Sequence, residues 1–150
     1  MALKIPLAAL VLAVMLAPAS HADPTPQNSR QKPVVRPVFN QPTNVPGKSL
    51  EATTVSYPPG AKSEAHHHAT SAFIMAYVIS GAIRSQVEGE PARVYRAGET
   101  WSEAPGAHHT ISENASATEP AELLAVFLVD TGDGPLTTDD DPAHDQGAPR

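Results

Sequence analysis

Apolar residues along this chain gather in short runs whose spacing separates a central region from two flanks. Between Ser49 and Asp130 the runs are strand-length and cut by turn formers. Ser49 to Tyr57 stops at Pro58-Pro59-Gly60, and Ser71 to Ser80 stops at Gly81. Arg84 to Val87 faces Arg93 to Arg96 across Glu88-Gly89-Glu90-Pro91, and Ala121 to Val129 ends the series. Runs of this length between glycine and proline predict strands, and no stretch carries a convincing amphipathic helix. The expected fold is all-β, an antiparallel sandwich or barrel. Ala72 to Ile79 departs from alternation, being apolar at every position. Both faces of that strand should be covered, one by the barrel interior and the other by a second subunit, which predicts a homodimer. Phe73, Met75 and Tyr77 lie on the face opposite Ile74 and are the residues expected at that interface.

The flanks read differently. Lys4, the apolar run Ile5 to Leu16 and the small residues around Ala22 form a secretory signal with cleavage expected after Ala22. The run is shorter than the roughly 20 residues a membrane-spanning helix needs. Localisation is therefore expected to be periplasmic or secreted, with no membrane attachment after cleavage. Prolines at 24, 26, 33, 37, 42 and 46 make residues 23–48 an extended arm. Within it Val34 to Phe39 is apolar enough to dock as an edge strand, where proline is tolerated. Residues 131–150 are small, acidic and proline-containing, too poor in apolar surface to order themselves. The expected organisation is thus a signal peptide over 1–22, an arm over 23–48, a barrel over 49–130 and an acidic disordered tail over 131–150.

Charge and composition narrow the functional classes. Sixteen acidic residues against ten basic ones give a net charge of −6. No basic groove for nucleic acid or an anionic membrane is expected. The chain has no cysteine, so an exported protein of this kind must be held by its packed core rather than by disulfides. No phosphate-binding glycine loop and no nucleophile elbow is present.

The chemistry sits in the histidines. Three of the seven are consecutive, His66-His67-His68, and two more follow a proline-glycine turn in Ala104-Pro105-Gly106-Ala107-His108-His109. In a strand His66 and His68 point to one face and His67 to the other. Two imidazoles one residue apart on the same face can share a metal ion.

With both segments the chain resembles the cupin superfamily. Its first motif, Gly, five residues, His-x-His, then Glu and Gly, is met by Gly60, His66, His68 and Gly81; its second is met by Gly98, Gly106 and His109. The resemblance covers roughly residues 49 to 130. It implies a double-stranded β-helix, or jelly-roll barrel, with His66, His68 and His109 pointing into the barrel mouth and holding one divalent metal ion. Two positions depart from the family pattern. Ile74 stands where the family has its glutamate ligand, and no Asp or Glu occurs from Ala65 to Val87. In the second motif Ala104 replaces the proline and the asparagine falls one residue late, at Asn114. Either Glu64, which shares the parity of His66, or Glu103 could supply the missing oxygen. Three imidazoles suit iron or zinc first, then copper or nickel. His67 and His108, of opposite parity, are expected to support the ligands from behind or to face solvent.

Trp101 is expected in the core or in the wall of a ligand pocket. Arg84 and Gln86 either reach the cavity or face solvent. Two functions remain open at this point: a metal-dependent, dioxygenase-like enzyme acting on a small organic molecule, or a non-catalytic module that binds a metal or small molecule. An open coordination position would favour the first and a fourth protein ligand the second.

Overall fold

The computed structural model describes residues 32–140. The signal segment, the start of the arm and the last ten residues of the tail lie outside the described residues. Ten strands form two five-stranded sheets. The first has the order β1(Val34–Pro42), β2(Lys48–Tyr57), β9(Ala121–Asp130), β4(Phe73–Ser80), β7(Thr100–Glu103). The second has the order β10(Thr137–Asp139), β3(His66–His68), β8(His108–Asn114), β5(Ala82–Val87), β6(Arg93–Arg96). All named pairs are antiparallel, and every described element is a strand, so the all-β expectation holds as a double-stranded β-helix. Among the described residues no helix is long and apolar enough to cross a membrane.

Alternation places the core between the sheets. In β4, Ile74, Ala76 and Val78 are buried while Phe73, Met75, Tyr77 and Ile79 are exposed. β9 matches it with Leu123, Ala125, Phe127 and Val129 inward, and Ile83 of β5 closes the core from the opposite sheet. Burying one such side chain stabilises the fold by about 1.5–3 kcal/mol, and this apolar layer has to do without disulfides. At the β4–β5 corner Gly81 has φ +70°, and a Cβ there would stand 2.6 Å from the Pro120 carbonyl oxygen. Only glycine can make this turn against the neighbouring chain.

The expected hairpin forms as written, with Arg84 opposite Val94 and Ser85 opposite Arg93. The flanks of the barrel extend further than the expected limits of 49 and 130. β1 docks along the whole of β2, with an irregularity between Pro37 and Phe39 that accommodates the proline. Beyond Asp130, residues 131–140 do not form part of a structureless tail. Asp133 accepts hydrogen bonds from the Ser71 amide and hydroxyl, Leu136 packs against the core, and β10 pairs with β3. Low apolar content argues against self-ordering; here an existing sheet edge supplies the partner.

Candidate metal centre

β3 is only three residues long, and its register decides the site. His66 lies opposite His109 of β8, and His67 lies opposite His108. In an antiparallel ladder, directly opposed residues share a face. His66 and His109 therefore enter the barrel together, joined by His68 two residues along. All three are buried, His66 and His68 at 8% exposure and His109 at 4%. Ring centroids are separated by 4.9 Å for His66–His68, 5.1 Å for His66–His109 and 5.9 Å for His68–His109. One ligand atom from each ring lies within 4.8 Å of the others, so the three form a buried group that could hold a metal ion.

A carboxylate borders two of the three rings from the other sheet. Glu103 of β7 is 4% exposed and is the direct cross-strand partner of Ile74. The oxygen absent from position 74 thus reaches the interior from the residue facing it across the ladder. Glu103 Oε2 lies 3.0 Å from His68 Nε2, and Oε1 lies 3.4 Å from His109 Nδ1. Trp101 Nε1 donates to Oε1 at 2.9 Å, and the indole stacks on Tyr95. Trp101 thus belongs to the packing behind the site, holding Glu103 in place. Glu64 does not share that position. Its side chain is 63% exposed with Lys32 3.9 Å away, and only its backbone carbonyl meets His66.

Hydrogen bonds fix which nitrogens are free. The Glu64 carbonyl is 2.8 Å from His66 Nδ1, and the Leu136 carbonyl is 3.3 Å from His68 Nδ1. A carbonyl can only accept, so each Nδ1 carries the proton and each Nε2 offers a lone pair. That orientation is the usual one for a metal-binding imidazole anchored by its other nitrogen. On His109, the Ser85 hydroxyl lies 2.9 Å from Nε2. His68 Nε2 and Glu103 Oε2 are both buried without a hydrogen-bond partner, although they face each other at 3.0 Å. With only Nδ1 protonated, this pair of facing acceptors is unsatisfied; a second proton on the ring would satisfy it as an ion pair. A metal ion shared with the neighbouring imidazoles would also satisfy both atoms, and the donor set fits a divalent transition metal.

Electrostatics favour the ligating forms. Burial pushes the His66 imidazole down from its ordinary value and pushes His109 down to about 4. Both are neutral at pH 7. Burial alone would raise the Glu103 carboxyl, but the adjoining His68 and His109 rings and the Trp101 hydrogen bond outweigh it. The carboxyl stays below its ordinary range.

A cavity of about 240 Å³ opens beside His66 and His68. Val55, Leu123, Ala125, Phe127 and Leu136 make its apolar wall, and Tyr57, Ser63, Ser112, two threonines and the Asp139 carboxylate its polar one. Tyr57 Oη lies 2.7 Å from Ser112 Oγ and 3.0 Å from Ser63 Oγ, and burial raises its pKa. Neither Lys nor Arg is among the lining residues. Arg84 and Gln86 turn outward, Arg84 to Glu113 at 2.7 Å and Gln86 to the Glu90 carbonyl, so the solvent-facing reading is the correct one. Sequence reasoning missed Tyr57, Ser112, Ser85 and Leu136. The inward parity of Ser85 with Ile83 was a usable signal; the others depend on pairing across the fold. Asn114 is buried with its amide donating to the Pro58 and Glu119 carbonyls, which makes it a structural residue at the β8 end.

Comparisons with known proteins agree with the fold. A family model described as the cupin domain matches residues 53–127. Among curated proteins none matches. Among solved structures, the protein TT1209 from Thermus thermophilus is 26% identical at a TM-score of 0.54, covering 65% of this chain and 84% of that one. A protein with a double-stranded β-helix domain from Klebsiella pneumoniae is 18% identical at 0.58, covering 77% and 90%. An oxalate oxidase in complex with the substrate analogue glycolate is 22% identical at 0.55, covering 79% and 66%.

Proposed function

Because the chain belongs to the cupin family, we propose that it is an exported metal-dependent oxidoreductase, of oxygenase type, acting on a small and largely apolar organic molecule. The observation that carries this reading is the buried group of His66, His68 and His109, with Glu103 3.0 Å from His68 and 3.4 Å from His109. His66, His68 and His109 would hold one divalent ion, with Glu103 placed beside two of the three. The carboxylate adds a hard donor to the imidazoles and favours iron(II) over zinc, copper or nickel. When bound, such an ion would supply redox or Lewis-acid chemistry at the cavity floor.

The residues of the chain do the rest. His66 and His68 border the cavity while Glu103 sits behind them, so the open side of the centre faces the substrate space. The apolar wall excludes water, and Tyr57 with its two serines offers hydroxyl groups to orient a carbonyl or hydroxyl of the ligand. Lacking a lining cation, the cavity suits a neutral molecule better than an anion. The exposed apolar stripe of β4, with Phe73 48% and Ile79 43% exposed and Leu128 beside it, supports a homodimer through that sheet.

One observation favours a second reading. Glu103 contacts two of the three rings and so is placed to act as a fourth protein ligand, which suits a closed, non-catalytic site. The first experiment is elemental mass spectrometry on tag-free protein beside a His66→Ala/His68→Ala/His109→Ala variant. Near-stoichiometric metal that the variant loses is the expected result. Oxygen uptake with a panel of small neutral hydroxylated compounds then separates the readings. Full metal loading without uptake and with reversible ligand binding would support the binding module, and no metal after reconstitution would overturn the enzyme and leave only a module that binds a small molecule. Elution as a monomer would remove the dimer.

A further inference from the structure

The remaining two histidines of the paired clusters stand on the outside of the same ladder. His67 and His108 are directly opposed across β3 and β8, and their rings stack at 4.2 Å with an interplanar angle of 11°. Asp140, just past β10, is anchored by its amide to the Ala65 carbonyl at 2.9 Å. Its Oδ2 lies 2.8 Å from His108 Nε2 and its Oδ1 3.9 Å from His67 Nε2. One ligand atom from each of the three lies within 4.8 Å of the others, and Glu88 Oε2 stands 3.6 Å from His108 Nδ1 on the far edge of that ring.

We propose that His67, His108 and Asp140 form a second metal site, on the outer face of the barrel, that takes a zinc-class transition-metal ion. Both Nε2 atoms lie beside one carboxylate, and turning the exposed His67 ring out of the stack would bring two nitrogen donors and one oxygen donor onto one ion. Two imidazoles select zinc, copper or nickel over calcium or magnesium, which prefer all-oxygen ligands. The group is open to solvent, so water completes a tetrahedron around three protein ligands. Glu88, 3.6 Å from Nδ1, adds negative charge on the other edge of the His108 ring.

The site also has a structural consequence. Its ligands come from β3, from β8 and from the end of β10, and β10 is otherwise held by three pairings to β3. β10 and its approach contribute Leu136, Thr137 and Asp139 to the inner cavity, and Leu136 holds the His68 Nδ1. An ion on the outside therefore pins the strand that walls the inside. This inference stands independently of the proposed reaction.

The test is zinc titration of the tag-free full chain by calorimetry, with elemental mass spectrometry of the equilibrated protein. In the His66→Ala/His68→Ala/His109→Ala background one zinc equivalent should remain. Adding His67→Ala/His108→Ala should abolish it, and Asp140→Asn should weaken it at least tenfold. If the triple variant fails to fold, His67→Gln/His108→Gln on the intact barrel should lower the zinc stoichiometry by one. Zinc binding unaffected by either outer double variant would overturn the proposal, as would calcium binding as tightly as zinc.

Discussion

His66 and His109 on the inside of the β3–β8 ladder, and His67 and His108 on its outside, are the same residue type on the same two strands one position apart. The inner pair is buried; burial holds both imidazoles neutral, and their neighbours are a buried carboxylate, a serine and the apolar core. The outer pair stacks ring on ring in solvent beside exposed carboxylates. The contrast teaches that strand parity sorts identical side chains into different chemistries. Inside, polar groups must be satisfied by a fixed partner. Outside, water can satisfy them, and any metal affinity comes from convergence alone.

The comparison can be strained hardest through packing. Ile83→Ala, on the inner face beside Ser85, should cost about 2–5 kcal/mol in denaturant unfolding. Its outward neighbour Arg84→Ala, which loses the Glu113 pair, should cost no more than about 1 kcal/mol. Equal losses would mean that the two faces do not differ as described. Next in size is Glu103→Gln, which keeps the shape and removes the charge. It should lower metal affinity at the inner site about 10–100-fold, while His67→Ala leaves that affinity unchanged; competition with a chelator measures both.

Acid should separate the faces more gently. His109 has a folded pKa of about 4, below its unfolded value of 6.5. The unfolded chain therefore binds the proton first. The contribution of the neutral ring is complete above pH 6.5 and is lost as pH falls from 6.5 toward about 4. Glu103, also depressed, adds to the loss as pH falls through its folded value. Metal-free protein should show falling unfolding midpoints over this window, and His109→Gln should flatten the slope. The smallest effect belongs to Asp140→Asn, which releases the outer tie to His108 and should change metal-free stability by less than about 1 kcal/mol. A larger loss would show that Asp140 anchors β10 by itself.

Much of the site is legible in the chain because its signals are local. The His-x-His spacing needs only the two-residue period of a strand, and Pro105-Gly106 announces the turn before His109. The hairpin from Arg84 to Arg96 follows from its turn residues for the same reason. Glu103 is not legible in this way. It lies 29 positions from Ile74, and nothing in the spacing states that β7 pairs with β4 in the register that opposes the two. The strands β7 and β10 are likewise short and polar, and they exist because a sheet edge accepts them, not because their own composition requires it.

What the sequence determined by itself was therefore periodic: an all-β barrel, the inward set His66, His68 and His109, and the outward set His67 and His108. What only the tertiary structure decided was everything that depends on register between distant strands. It placed Glu103 opposite Ile74, brought the Leu136 carbonyl to His68 and set Asp140 against His108. Backbone alternation is a property of neighbours along the chain, whereas pairing is chosen by the packing of the whole sheet, and the carboxylates of both clusters arrive by pairing.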